Sequence, residues 1–186
     1  VETVDEPVLR IQLTEPGSTE PIPLDQGDDI LSGITWSLRQ HLFDIPEMGT
    51  PLAAAFGDSI ELLGYDLDTS QAHPGGEIAL TLYWRALKTP DEAYTVFNHI
   101  VGPDGQFRGQ FDSPPVGDAW LTNTWRGGEV IVDRRTVPIF PDAPQGPAKL
   151  VVGLYTADDI VRLPVTLNGA LQPGDQLVLE EIEIGS

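Results

Sequence analysis

The sequence predicts an all-β fold, an antiparallel β-sandwich of immunoglobulin-like or jelly-roll-like kind. The first sign is alternation: Ile78, Leu80, Leu82 and Trp84 are interleaved with Ala79, Thr81, Tyr83 and Arg85. A period of two sends one set to a buried sheet face and the other outward. The second sign is turn chemistry. His73-Pro74-Gly75-Gly76 precedes that run and Gly102-Pro103-Asp104-Gly105 follows the next, with 17 prolines and 19 glycines scattered without period. Glycine supplies positive φ and proline a fixed φ, which suits many short strands joined by tight turns. The third is that no amphipathic pattern runs beyond three helical turns, which argues against bundles and doubly wound α/β folds.

Taken in order, Val8–Leu13 reads as a short strand between Pro7 and Pro16-Gly17. Pro21–Gln40 is ambiguous. Ile30, Ile34, Leu38 and Leu42 keep helical spacing, but Gly33, Thr35 and Trp36 dilute it, and the reading leans to strand. Asp44–Pro51, with three prolines and glycines in eight positions (Pro46, Gly49, Pro51), reads as a linker. Residues 1–50 are thus expected to form an N-terminal arm or extra strands, and residues 51–186 the sandwich. Strands are expected near 56–68, 77–87, 93–101, 106–112, 129–139, 147–156 and 176–184. Within them Leu150, Val152 and Leu154 oppose Val151, Gly153 and Tyr155, and the last run alternates through Leu177, Leu179, Ile182 and Ile184. Trp84 and Tyr65 fall on the buried set.

Composition narrows the function. Ten Lys and Arg against 29 Asp and Glu give a formal charge of −19. That field repels phosphate backbones and anionic lipid heads, so neither nucleic acid nor an acidic membrane surface is an expected partner. The absence of cysteine removes disulfides, thiol nucleophiles and thiolate metal sites. No window holds the roughly 18 apolar residues of a membrane span, and no signal-peptide pattern is read in these residues. The chain starts at Val1 with Met48 its single methionine, and is read as a piece of something longer.

Candidate chemistry is sparse. Phe56-Gly57-Asp58-Ser59-Ile60 resembles the nucleophile block of GDSL-type esterases. Those enzymes also need a Gly-x-Asn-Asp oxyanion block and an Asp-x-x-His, and neither occurs, so Ser59 is expected to be an ordinary polar position on its strand. His41, His73 and His99 have no paired spacing for zinc, and His99, sharing a strand face with Thr95, Phe97 and Val101, is expected to be a hydrogen-bonded structural histidine. Asp112, Asp118 and Glu129 flank one loop, but nothing in the sequence raises the pKa of one of them as an acid–base pair requires. Asp25-Gln26-Gly27-Asp28-Asp29, Asp112 with Asp118, and Asp158-Asp159 could offer oxygens to calcium; solvated turn carboxylates explain them as well. No metal or other cofactor is expected.

The loop Asp112–Gly128 carries the one patch with recognition chemistry. It holds Trp120, Trp125, Asn123 and Arg126 with Asp112 and Asp118. Aromatic faces stack on the C–H face of a pyranose while Asp, Asn and Arg take its hydroxyls, and such sites favour loops on a rigid scaffold. Trp125 is expected to pack under the loop and Trp120 to be exposed.

From about Pro51 to Ile184 the chain resembles a β-sandwich module of large bacterial surface and membrane proteins, the C-terminal soluble domain of family-39-like membrane glycosyltransferases of Chloroflexi-type bacteria. The resemblance rests on Phe56-Gly57-Asp58, Leu62-Leu63-Gly64-Tyr65-Asp66-Leu67, Pro74-Gly75, Leu80-Thr81-Leu82-Tyr83-Trp84, Tyr94-Thr95-Val96-Phe97, His99, Pro103-Asp104-Gly105, Asp112, Pro114-Pro115, Trp125, Gly128-Glu129 and Val152-Gly153-Leu154-Tyr155. Asn98 stands where an apolar residue is usual and Ala148 where an aromatic is usual. The resemblance implies an extracytoplasmic accessory domain at the cell surface, with no chemistry of its own and the rest of a parent membrane protein as partner. The alternative is a carbohydrate-binding module using the loop aromatics.

Overall fold

The computed structural model describes residues 41–185, except the side chains of Asp118 and Ala119. Among these residues there is no α-helix, and the strands form two antiparallel sheets. The larger sheet is built from β1 (Thr50–Phe56), β2 (Ile60–Asp68), β3 (Glu77–Ala86), β6 (Val130–Pro138), β8 (Val165–Leu167) and β9 (Ala170–Leu171), in the order β6-β3-β2-β1-β8-β9. The smaller contains β4 (Tyr94–Val101), β5 (Phe107–Ser113), β7 (Gly146–Thr156) and β10 (Leu177–Ile184), in the order β10-β7-β4-β5. The fold is an all-β sandwich.

The alternation in β3 does what a period of two requires. Ile78, Leu80, Leu82 and Trp84 are all buried between the sheets, with Phe56, Ile60, Leu62, Ile131 and Val137 from the same sheet. Val96, Ile100, Leu150, Val152, Leu154, Leu177 and Ile184 meet them from the other sheet. Phe56 and Trp84 pack edge to face at 5.3 Å and 78°, an arrangement the ring quadrupole favours. Tyr83 departs from simple alternation: it is buried with Leu63, Val130, Met48 and Val132 on the opposite side of the sheet, where its hydroxyl donates to Asp66 at 2.6 Å.

Several sequence expectations need correction. The strand read as 56–68 is a hairpin, because Gly57 turns at φ 59° between β1 and β2. Ser59 therefore sits in that turn, buried, rather than along a strand. The segment read as a linker is tied to the sandwich: Leu42 bridges Val130, Gly49 N–H donates to Asp66 Oδ1 at 2.5 Å, and β1 begins at Thr50. Its Thr-Pro-Leu-Ala-Ala-Ala sequence has no polar–apolar alternation to announce a strand. The β8–β9 hairpin was also missed, although Asn168-Gly169, at φ 51° and 79°, carries the signature of a tight two-residue turn. The expected strand at Val8–Leu13, the ambiguous Pro21–Gln40, the acidic run at 25–29, Trp36 and the N-terminal arm all lie outside the described residues, apart from its last positions, 41–50.

Candidate functional site

The outer face of the smaller sheet concentrates aromatic and titratable side chains, and the strand register dictates which residues reach it. In β4 the inward set is Val96, Asn98 and Ile100, all buried, so Thr95, Phe97, His99 and Val101 point the other way. Across the sheet, Phe97 lies opposite Asp112 and Gly153, and His99 opposite Gln110 and Val151. Val101 lies opposite Phe107 and Lys149, and Lys149 in turn opposite Glu181. A one-residue slip of β4 would exchange this face for the core.

These residues form a row. Arg162 Cζ stands 4.4 Å from the centre of the Phe97 ring, Phe97 stacks on His99 at 4.8 Å and 30°, and His99 lies 4.6 Å from Phe107. Tyr155 closes on Phe97 from the side at 6.2 Å. Gly153 is required beneath: a Cβ there would collide with the Phe97 ring. Arg162 is fixed by donating to the Gly174 carbonyl at 3.0 Å and to Gln176 at 3.3 Å. Phe97 and His99 are covered, whereas Phe107 is 45% exposed and Gln110 is open to solvent.

Asp112 organises the polar part of the row. Its Oδ1 lies 3.0 Å from His99 Nε2 and its Oδ2 accepts the Tyr155 hydroxyl at 3.3 Å. An ionised carboxylate only accepts, so the proton of this contact sits on Nε2 of His99. Partial burial raises the Tyr155 pKa, and the negative charge and hydrogen bond of Asp112 add to the shift. At the far end of the row, Val101, Pro103, Pro147, Ala148, Lys149 and Glu181 line a recess of about 220 Å³. A roomier cleft of about 490 Å³ lies elsewhere, between Tyr65, Asp66, Glu180 and Glu183. Its walls are acidic and its one aromatic is committed, the Tyr65 hydroxyl lying 2.8 Å from both the Leu179 carbonyl and Glu180 Oε2.

The six loop residues singled out from the sequence are dispersed by the structure. Trp125 is 1% exposed and belongs to the core, its Nε1 donating to the Trp120 carbonyl at 3.0 Å. Trp120 is half-buried and packs against the same core instead of standing free as expected. Asn123 and Arg126 are exposed, Asn123 on the short 3-10 turn Thr122–Thr124. Asp118 lies on the preceding turn Gly117–Trp120. Of the five whose side chains are described, only Asp112 reaches the aromatic row. The loop itself is pinned by buried Thr122, whose hydroxyl accepts Tyr94 N–H at 2.8 Å and donates to the Glu92 carbonyl at 2.7 Å. Glu129, considered as half of an acid–base pair, is fully buried and accepts Arg126 N–H at 2.8 Å. No group of three His, Asp or Glu among the described residues is placed to hold a metal ion.

Sequence reasoning placed His99 as a hydrogen-bonded histidine but did not find the row. Phe107, Tyr155 and Arg162 come from three separate segments, and their meeting depends on strand pairing. The signal within reach was the outward set Thr95, Phe97, His99 and Val101, unusually aromatic for a solvent face.

No family model and no curated protein matches this chain. One solved structure similar to it is described as "Crystal structure of the C-terminal domain of wzt"; the match has 12% identity, spans 73% of this chain and 89% of that one, and has a TM-score of 0.43. The likeness to the glycosyltransferase-associated module therefore rests on the motifs quoted above.

Proposed function

We propose that this chain is a non-catalytic recognition domain whose smaller sheet binds carbohydrate through its outer face. The observation that carries the reading is Phe107: an open aromatic ring with the tilted His99 ring against it, on the same sheet face as the acceptors Gln110 and Asp112. The ring offers an apolar face to sugar C–H groups, and the side-chain carboxylate and amide offer acceptors to hydroxyls. Arg162 is held by protein acceptors and Asp112 already receives His99 and Tyr155, so the polar groups brace the platform rather than stand ready as acid or nucleophile. In this reading the domain is an extracytoplasmic accessory part of a larger bacterial surface or membrane protein, and the motif resemblance favours a glycosyltransferase as that parent. The loop residues Asn123 and Arg126 lie outside the platform.

Calorimetric titration of the chain with a panel of neutral oligosaccharides tests this. Saturable binding that Phe107→Ala abolishes, with the melting temperature kept, supports the platform. Binding that survives Phe107→Ala and is lost in Trp120→Ala would return the site to the loop, and no binding across the panel would remove the carbohydrate reading.

A further inference from the structure

We infer that the sandwich core contains a structural water site between the Asn98 amide and the Arg135 guanidinium. Asn98 is 0% exposed, on the inner face of β4, and neither its Oδ1 nor its Nδ2 has a hydrogen-bond partner among the described residues. The Nε of Arg135, buried on the inner face of β6, is in the same condition. Three unpaired polar atoms in one core are unusual, because native interiors pair nearly every buried polar group with protein or with ordered water.

The two side chains share neighbours on β4 and β5. Arg135 Nη2 donates to the carbonyl of Val96, two residues before Asn98 on the same strand, at 3.1 Å. Arg135 Cζ stands 5.1 Å from the Phe111 ring, and Phe111 is the direct cross-strand partner of Asn98. The rest of the guanidinium is engaged: Nη1 donates to Asp133 at 2.8 Å and Nη2 also reaches Ser113 Oγ at 2.9 Å. Asp133 already balances the positive charge, so the ligand must be neutral, small, and both donor and acceptor. Water has that chemistry. One molecule accepts from Arg135 Nε–H and donates to Asn98 Oδ1, and a neighbour accepts from Asn98 Nδ2–H.

Such a bridge ties β4 to β6, strands of opposite sheets. It gives β4 a polar reason to keep Asn98 inside, and so keeps Phe97 and His99 on the outer face. The inference stands apart from the carbohydrate reading, since it needs no ligand on that face.

The test is water–amide NOE and ROE spectroscopy on the isotope-labelled chain, with the Asn98 side chain assigned through its own backbone. Long-lived water cross-peaks at the Nδ2 protons are expected. Oxygen-17 relaxation dispersion should then count at least one fewer long-lived water in Asn98→Leu. An Asn98 amide without such cross-peaks overturns the inference, as does an unchanged water count in a folded Asn98→Leu. The first experiment uses the unaltered chain, so it decides the matter even where the variant does not fold.

Discussion

Asp133 is a residue whose removal should cost this domain several kcal/mol. It is buried on the inner face of β6 and takes three donors: Arg135 Nη1 at 2.8 Å, Val116 N–H at 2.9 Å and Trp84 Nε1 at 3.4 Å. Asp133→Ala strips the counter-charge from a guanidinium that has almost no solvent exposure. Removing one partner of a buried pair costs about 3–5 kcal/mol, because the other charge stays buried and uncompensated. The orphaned Val116 and Trp84 N–H groups add roughly 1 kcal/mol or more each if water does not reach them. Arg135 keeps its bonds to Val96 and Ser113, which limits the loss, and the contributions are not additive. A total near 4 kcal/mol is a large share of the roughly 5–15 kcal/mol that a domain has. Val116 adds a local consequence. It is a β-branched residue held at φ 53°, a conformation that needs an anchor, so losing Asp133 should also loosen the loop that follows.

Urea unfolding followed by tryptophan fluorescence measures this directly, with Trp84 itself a reporter beside the lesion. A second variant, Asp133→Ala with Arg135→Met, removes both charges and should recover more than half of the loss, since an apolar pair avoids the desolvation penalty. A single-variant cost below about 1 kcal/mol would refute the reasoning, because an exposed pair costs that little. A double variant no better than the single one would equally show that the stranded charge is not the cause.

Two further outcomes follow from other sites. Gly153→Ala places a methyl where the Phe97 ring lies. It should destabilise the chain by about 1–3 kcal/mol, the usual range for overpacking, and shift the His99 ring proton resonances as the stack separates. Tyr65 is the pH probe. Burial, and then the Glu180 carboxylate beside it, push its pKa from 10.0 up to about 12. Its neutral form is therefore favoured in the folded state: the stability it supports is complete below pH 10 and falls as pH rises towards 12. Absorbance titration near 295 nm should show a tyrosine titrating near pH 12, and Tyr65→Phe should remove that component and flatten that limb of the stability profile. A Tyr65 that titrates at the ordinary value of 10.0 would show that burial does not hold it.

By itself the sequence determined the class of fold. Alternation in β3, β7 and β10 and the Gly-Pro turns are local properties, since side chains of successive strand residues always point to opposite faces. Ile78, Leu80, Leu82 and Trp84, or Leu150, Val152 and Leu154, could hardly bury themselves otherwise. The same locality explains the failures. Thr50–Phe56 carries alanines that pair well but advertise no face, and Val165–Leu171 makes strands too short for a pattern, leaving only Asn168-Gly169 to mark them. What the tertiary structure alone decided is which face gathers the aromatic row. Trp120 reads as an exposed binding aromatic in one dimension, yet burying an indole is worth more than exposing it, and the core took it in part beside Trp125, whose packing the sequence did suggest. Phe97, His99, Phe107, Asp112, Tyr155 and Arg162 span 66 positions from first to last, and they meet because antiparallel register sets their strands side by side. Pairing at that range is a property of the whole sheet, and no window of sequence contains it.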